Sequence, residues 1–280
     1  TINGVKCKPN WDVQTYLFIG EDDRGVKTGK TESDGTGQSD VLELLVIDTK
    51  KNIYHKLPIN RDTITDVKSL DDDGSYLATT KTQIALAHAK GDGMELSCEN
   101  TVDAVSEYLH GQEIDGYAAV NMGAIGTINH MAGGVTVTIE DDFSEIDPDL
   151  KQGETICLTD KQAEEFIHDR WGVADETNEN RMHRQAVYMT ELKRLIKEKC
   201  QQSSTYPLDL YESVQDYMVT SINKSKFSKL ALLVAKEKDE GEVSVDGTVG
   251  TDELGYATFE PNEQSLEAAI AELFYEEYEE

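Results

Sequence analysis

The sequence has little positive charge. Its 26 Lys and Arg residues face 55 Asp and Glu residues, which gives a formal net charge of -29 at pH 7. Nucleic-acid binding needs a basic face that releases counterions from phosphates, and adsorption to an anionic membrane surface needs clustered Lys and Arg. The composition therefore argues against a nucleic-acid partner and against simple electrostatic binding to a membrane.

Long apolar runs and paired cysteine motifs are also missing. No stretch approaches the roughly 18 to 20 apolar residues of a membrane-spanning helix. The four cysteines, at positions 7, 98, 157 and 200, have no C-x-x-C spacing, so the spacing predicts no zinc site and permits zero, one or two disulfides. The chain starts at Thr1 with neither Met nor a signal-like region, so we expect a processed piece.

Arginine is scarce even among the basic residues. Six of the 26 are arginine: Arg24, Arg61, Arg170, Arg181, Arg184 and Arg194. The planar arginine fork fits phosphate and carboxylate bidentately, whereas lysine is a flexible point charge. This usage indicates that the arginines occupy positions where the bidentate geometry of the guanidinium matters.

Apolar segments alternate along the chain with segments of helical period. "YLFIG" and "VLELLVID" read as strands, and "TKKN" turns the second into its partner "IYHKLPI". Helices are predicted at residues 82–89, 101–109, 160–169, 178–200, 211–220 and 226–236, with an amphipathic helix at the carboxyl terminus. The alternation predicts an α/β fold, layered α/β/α with a central mixed sheet, plus a small α+β C-terminal extension.

Five arginines lie in three polar segments, "GEDDRG", "NRDT" and "HDRWGVADETNENRMHRQ". The first two follow predicted strands, where open α/β sheets form their ligand crevice. In the third, Arg181, Arg184 and Gln185 share one helical face. Side chains gathered around one crevice would surround a multiply charged anion. We therefore predict that these residues bind phosphate or pyrophosphate.

Three aspartates accompany the arginines. Asp22, Asp40 and Asp62 are hard oxygen donors of the kind that hold Mg²⁺, and one of them could act as a general base. The residues leave an alternative open. In so acidic a chain, Arg–Asp neighbours often form ordinary structural ion pairs.

In chain order, "YLFIGEDDRG", "GQSDVLELLVID", "LPINRDT", "INHMAGGVTVTI" and "HDRWGVADETNENRMHRQ" resemble the LytR-CpsA-Psr family of cell-wall glycopolymer transferases. The match covers about residues 16–195. We expect a family-like domain over residues 1–236 and an extension, residues 237–280, packed on the same domain. The resemblance implies an extracellular domain, anchored to the outer face of a Gram-positive-type cell membrane by a helix upstream of Thr1.

The resemblance also implies an activity in cell-wall biogenesis. Family members move a glycopolymer from a polyprenyl pyrophosphate carrier to peptidoglycan with Mg²⁺, and hydrolysis of the same pyrophosphate bond is an expected side activity. Two alternatives remain, a polyprenyl-phosphate-binding protein without turnover and a cell-wall interaction or regulatory module.

The resemblance implies roles for specific residues. Asp22 and Arg24 match a G-x-D-x-R segment, Asp40 an S-D pair, and Arg61 with Asp62 a P-R-D segment. Arg170 matches the second arginine of R-x-R, and Arg181, Arg184 and Gln185 match R-x-x-R-Q. The implied catalytic set is Arg24, Asp40, Arg61 and Asp62, with Asp62 as proton acceptor. The implied substrate contacts are Arg24, Arg61, Arg170, Arg181, Arg184 and Gln185, and the implied metal ligands are Asp22, Asp40 and Asp62.

The sequence departs from the family pattern at four positions. Gln38 and His168 stand where arginines are usual, Asn60 replaces the proline of P-R-D, and Asn178 replaces an aspartate. These changes leave the binding interpretation intact and weaken the catalytic one, and the lost proline is expected to loosen its turn. For the lipid tail, "VLELLVID" and "GAIGTINHM" could line an apolar trough, although buried core strands have the same pattern.

Overall fold

The computed structural model describes residues 6–23, 25, 27, 37–71, 73–169, 171–173 and 178–278. Its strands are β1 (Cys7–Pro9), β2 (Val13–Glu21), β3 (Ser39–Asp48), β4 (Ile53–Ile59), β5 (Ile64–Leu70), β6 (Tyr76–Gln83), β7 (Gly116–Asn121), β8 (Thr136–Thr138), β9 (Thr155–Cys157), β10 (Met218–Thr220), β11 (Lys238–Glu242), β12 (Gly247–Thr251), β13 (Ala257–Pro261) and β14 (Tyr275–Glu277). Its helices are α1 (Leu86–Ala89), α2 (Glu95–Tyr108), α3 (Ile125–Ala132), α4 (Asp160–His168), α5 (Asn178–Gln202), α6 (Tyr206–Val214), α7 (Lys224–Lys236) and α8 (Glu263–Phe274). None of these helices is both long and apolar enough to cross a membrane.

The largest sheet has six strands in the order β10-β7-β2-β3-β4-β11. Strands β2 and β7 are parallel, as are β4 and β11, whereas β2, β3 and β4 form an antiparallel meander. The predicted α/β class with a central mixed sheet is confirmed, and so is the predicted hairpin that joins β3 to β4.

The chain divides into two compact units. Unit 1 contains the described residues up to Asn121 together with Met218–Asn223 and those from Glu237 onward, and it includes the whole six-stranded sheet. Unit 2 contains Met122–Tyr217 and Lys224–Lys236. The predicted boundary between residues 236 and 237 stays a prediction.

The core of unit 1 lies on one face of the sheet. Because side chains alternate between the faces of a strand, Leu42, Leu44 and Val46 of β3 all point into the same buried cluster. The predicted apolar stripe of the last helix is confirmed, since Leu266 and Ile270 of α8 pack into that cluster. The structure thus places the inward residues of "VLELLVID" in ordinary core.

Unit 2 has a separate core built on α5. Tyr188 of α5 is buried there with Phe143 and Phe166, whose rings stack 5.8 Å apart. Ile125 and Ile128 of α3 pack against the same cluster. The segment "GAIGTINHM" therefore also contributes to core packing.

Two helix predictions are wrong at their boundaries. Of the helix predicted over residues 82–89, the first two residues belong to β6 and only the last four form α1; most of β6 is exposed, so it shows no alternating pattern. Helix α2 begins at Glu95, six residues before the predicted start, because the Asp92 carboxylate accepts the backbone N–H of Met94 and Ser97. Asn100, just before the predicted start, lies inside the helix and its side-chain amide donates to the carbonyl of Ala87.

A third helix prediction ends too late. The segment predicted as helical over residues 211–220 leaves the α-helix at Val214 and finishes as β10, on the edge of the sheet beside β7. The period of three to four residues continues past the end of α6, so periodicity alone did not mark this change. Helix α3 ends at Gly133, which has the left-handed φ of 90° that favours glycine after a helix.

Candidate functional site

Sheet topology brings three predicted site residues to one end of unit 1. Because β2 and β3 are antiparallel, the end of β2 lies opposite the start of β3, with Glu21 paired to Ser39. Strand β4 is antiparallel to β3, so it ends at the same place. One edge of the sheet therefore carries Asp22 just after β2, Asp40 at the start of β3 and Arg61 just after β4.

Arg61 is the centre of this group. Its Nη1 contacts Oδ1 of Asp40, its Nη2 donates a hydrogen bond of 2.5 Å to Oε1 of Gln38, and its Nε lies 3.6 Å from Oδ1 of Asp62. The side chains of Arg61, Asp40 and Asp62 are 37%, 33% and 27% exposed. Two carboxylates thus surround one guanidinium that remains partly open to solvent.

The turn that carries Arg61 is held by hydrogen bonds. Asn60 Oδ1 accepts the backbone N–H of Asp62 at 2.9 Å, and the Asn60 carbonyl accepts both the backbone N–H and the hydroxyl of Thr63. The Arg61 carbonyl accepts the N–H of Ala85 at 3.1 Å. An Asn side chain that bonds its own backbone two residues on is a standard turn device. Asn60 therefore compensates for the missing proline.

Asp22 ties the two ends of the loop between β2 and β3 together. Its Oδ1 accepts the backbone N–H of Gln38 at 3.0 Å, and its own N–H donates to the Gln38 carbonyl at 3.3 Å. Gln38, which replaces an arginine of the family pattern, thus belongs to the site through both its backbone and its side chain. The replacement removes one positive charge beside Arg61.

The three predicted Mg²⁺ ligands do not form one compact set. Asp22, Asp40 and Asp62 are not among the groups of described residues whose ligand atoms all lie within 4.8 Å of one another. Mg²⁺ usually takes only one or two carboxylates and completes its shell with water and substrate phosphates. The partly exposed Asp40 and Asp62, on two sides of Arg61, fit that smaller requirement.

In unit 2, Arg184 is buried and fully engaged. It is 4% exposed; Nε donates to the Phe166 carbonyl at 2.8 Å, Nη1 pairs with Asp141 at 2.6 Å, and Nη2 donates to the Asp169 carbonyl at 2.5 Å. Its guanidinium also stacks over the Phe143 ring at 5.2 Å. This placement does not support the prediction that Arg184 contacts substrate. Arg184 instead holds the end of α4 against α5.

Gln185 shares that task, while Arg181 is more accessible. Nε2 of Gln185 donates to the Ile167 carbonyl at 2.9 Å, so Arg184 and Gln185 both satisfy carbonyls at the end of α4 that have no partner within the helix. Arg181 is half-buried one turn earlier on α5.

His168 is at another position that departs from the family pattern. Its Nδ1 lies 3.5 Å from Oδ1 of Asp169.

Two predicted site residues, Arg24 and Arg170, lie outside the described residues. That the arginines bind one pyrophosphate together stays a prediction, and the burial of Arg184 does not support its part in it. Sequence reasoning missed Asp141 and Phe143, the partners of Arg184. They lie about 40 residues earlier, in a loop with no motif, so no local signal marks them.

The sequence matches the model of the LytR_cpsA_psr family over residues 3–274. Solved structures share the fold: TagV of B. subtilis at 22% identity (94% of this chain, 96% of that chain, TM-score 0.64) and protein gbs0355 from Streptococcus agalactiae at 20% identity (93% and 87%, TM-score 0.66). A structure described as TagT bound to LI-WTA has 20% identity (94% and 90%, TM-score 0.63). The sequence matches no curated protein.

Proposed function

Because the chain belongs to the LytR-CpsA-Psr family, whose members are generally transferases of cell-wall polymers, we propose that it moves a glycopolymer from a polyprenyl pyrophosphate carrier to peptidoglycan. The family match over residues 3–274 supports transfer of a cell-wall glycopolymer, and the TagT structure bound to LI-WTA supports a glycopolymer as partner. The proposed location is the extracellular face of the cell membrane.

The observation that carries the proposal is the environment of Arg61. A guanidinium that is 37% exposed and faces Asp40, Gln38 and Asp62 offers its fork to an incoming phosphate. Phosphate oxygens match the arginine fork as well as carboxylate oxygens do. A pyrophosphate would therefore compete with Asp40 for Arg61.

The proposed reaction is displacement at the phosphorus that bears the sugar. A peptidoglycan hydroxyl forms the new O–P bond, the pyrophosphate P–O bond breaks, and polyprenyl phosphate leaves. Asp62 accepts the proton of the attacking hydroxyl, and Arg61 neutralises charge on the leaving phosphate. Mg²⁺, held by Asp40 together with the substrate phosphates, would supply further positive charge.

The test is transfer of a labelled lipid-linked glycan to peptidoglycan by the purified chain in the presence of Mg²⁺. We expect transfer by the wild type and a loss of about 10²- to 10³-fold in Arg61→Ala and in Asp62→Ala. Arg194→Ala is the matched control, because among the described residues Arg194 pairs with Glu191 and Glu198 on the exposed face of α5. Equal activity in Arg61→Ala and Arg194→Ala would refute the assignment.

A second candidate is a polyprenyl-phosphate-binding protein without turnover. Gln38 favours it, because a neutral amide stands beside Arg61 where the family pattern has an arginine. A polyprenyl phosphate that raises the melting temperature of a chain inactive with several donors would support binding alone. If no polyprenyl phosphate raises it, a cell-wall interaction module remains.

A further inference from the structure

A buried cluster of metal-ligating side chains lies in unit 1 beside the candidate site. Glu21 at the end of β2, His88 in α1 and Cys98 in α2 are 2%, 1% and 0% exposed. Within the described part of the chain, one ligand atom from each lies within 4.8 Å of the other two. A carboxylate, an imidazole and a thiol thus meet at one point from three different elements.

The distances fit a tetrahedral metal ion. Nε2 of His88 lies 3.4 Å from Oε1 of Glu21 and 3.9 Å from Sγ of Cys98. Zinc bonds of about 2.0 to 2.1 Å to N and O and about 2.3 Å to S place neighbouring ligand atoms roughly 3.3 to 3.6 Å apart. The His88–Glu21 distance already matches this spacing, and the sulfur of Cys98 must move closer to Nε2 by about 0.3 Å.

The surroundings orient the imidazole as a ligand. Nδ1 of His88 lies 3.1 Å from the carbonyl of Gly37, and donation of an Nδ1 proton to this carbonyl leaves the Nε2 lone pair directed at Glu21 and Cys98. A backbone carbonyl on the second ring nitrogen is the usual partner of a metal-bound histidine. Oε1 of Glu21 is buried and lies 3.4 Å from Nε2 of His88. In the tautomer that donates from Nδ1, the two facing lone pairs can share one metal ion.

We propose that Glu21, His88 and Cys98 bind one Zn²⁺ ion in a site that joins β2 to α1 and α2. A mixed N, O and S donor set suits zinc and not the hard cation Mg²⁺, so this site is separate from the magnesium proposed at Asp40. Three protein ligands leave a fourth position for a water molecule. The missing C-x-x-C spacing excludes only a cysteine-rich site.

Lys27 is part of the charge balance. Its Nζ lies 2.7 Å from Oε2 of Glu21 and 3.2 Å from Asp23, and it donates to the carbonyl of Gly93. Lys27 therefore keeps Oε2 and leaves Oε1 for the metal. The charges of Glu21, Asp23 and a Cys98 thiolate together offset those of Zn²⁺ and Lys27.

Thiolate coordination requires loss of a proton. Burial, and then the charge of Glu21, raise the pKa of the Cys98 thiol. On binding, the S–H bond breaks, the Zn–S bond forms, and the proton leaves to solvent. The ion would also fix the loop ends that carry Asp22 and Gln38.

The test uses the untagged chain, stripped with a chelator and then given Zn²⁺ alone. We expect native mass spectrometry to find one zinc per chain, with a rise in melting temperature. Cys98→Ser and His88→Gln should bind at least about 100-fold more weakly, since even partners outside the ligand shell contribute 10- to 100-fold. Cys200→Ser, at another buried cysteine, should bind as the wild type does.

Failure of the wild type to retain zinc, or undiminished binding in Cys98→Ser and His88→Gln, would overturn the proposal. If these variants do not fold, Co²⁺ added to the wild type decides. A sulfur-to-cobalt charge-transfer band that excess Mg²⁺ does not remove supports the site, whereas its absence refutes it. Neither result depends on glycopolymer transfer.

Discussion

The environment of each arginine decides what it does. Arg61 is partly exposed between two carboxylates, Arg184 is 4% exposed with all three of its guanidinium nitrogens bonded, and Arg194 lies on the surface of α5. Removal of a buried, paired guanidinium is strongly destabilising because it leaves an unpaired buried charge, whereas an exposed pair contributes little. Of these three, only Arg61 is placed to exchange a protein partner for a ligand.

Arg61→Lys tests whether the fork matters or only the charge. A lysine ammonium cannot face Asp40 and Gln38 as two nitrogens of one plane do. Loss of one charge-assisted hydrogen bond corresponds to about 1.5 to 3 kcal/mol. We expect transfer activity to fall by roughly 10- to 100-fold in steady-state assays. Wild-type activity in Arg61→Lys would show that a point charge suffices.

The ionisation of Asp48, at the hairpin between β3 and β4, should make the free energy of unfolding depend on pH. Burial alone would raise its pKa, but the N–H of Lys51, the amide of Asn10 and the Lys51 ammonium outweigh it, so the pKa lies below its ordinary value of 3.8. Its stabilisation is therefore present above about pH 3.8 and is lost as the pH falls through the folded pKa.

Asp48→Asn should accordingly lower the free energy of unfolding by about 1 to 2 kcal/mol at neutral pH. Urea unfolding of the wild type and of Asp48→Asn should show that the difference between their free energies of unfolding decreases as the pH falls below the ordinary pKa of an aspartate. A gap that is constant with pH would mean that the charge of Asp48 plays no part.

At the scale of elements, the end of α4 is fixed by side chains from α5. Arg184 and Gln185 bond the carbonyls of Phe166 and Ile167 and so complete the hydrogen bonding of the α4 terminus. Asp141 balances the buried charge from a separate loop. The R-x-x-R-Q segment of this chain therefore has a packing role that its resemblance to a substrate clamp did not reveal.

Arg184→Ala should destabilise the protein severely. The change leaves Asp141 unpaired in a mostly buried position and removes the donors to two carbonyls, and removal of one partner of a buried pair costs about 3 to 5 kcal/mol. Thermal and urea unfolding measure this loss. Arg194→Ala, on the same helix, should change stability by less than about 1 kcal/mol. Equal effects of the two substitutions would contradict the assignment.

Some elements could be predicted from sequence, and others could not. The apolar run of β3, the turn that joins it to β4 and the apolar stripe of α8 are all local signals, so the sequence predicts these elements. Strand β6 is mostly exposed and shows no regular period, and the Asp92 carboxylate bonds the first turn of α2 several residues before the apolar positions of that helix become regular. At the candidate site, short motifs predicted Arg61, Asp40 and Asp62, which the structure brings together. The motifs did not reveal the burial of Arg184 or the meeting of Glu21 with His88 and Cys98, because both depend on contacts between distant segments.

At the scale of the whole molecule, charge is the dominant feature. A formal charge of -29 over 280 residues opposes the compact state through self-repulsion. Raising the salt concentration from about 0.01 M to about 0.15 M shortens the Debye length from about 30 to about 8 Å. We expect the melting temperature to rise over this range, equally for NaCl and KCl. A fall would show that attractive pairs outweigh repulsion.

In the proposed function, Arg61 binds the pyrophosphate of a polyprenyl carrier. A crystal structure of the chain with geranylgeranyl pyrophosphate is the sharpest test of this contact. We expect density for the two phosphates within hydrogen-bond distance of the Arg61 guanidinium, with Asp40 displaced from Nη1. Phosphate density elsewhere, with Arg61 still bound to Asp40 and Gln38, would contradict it.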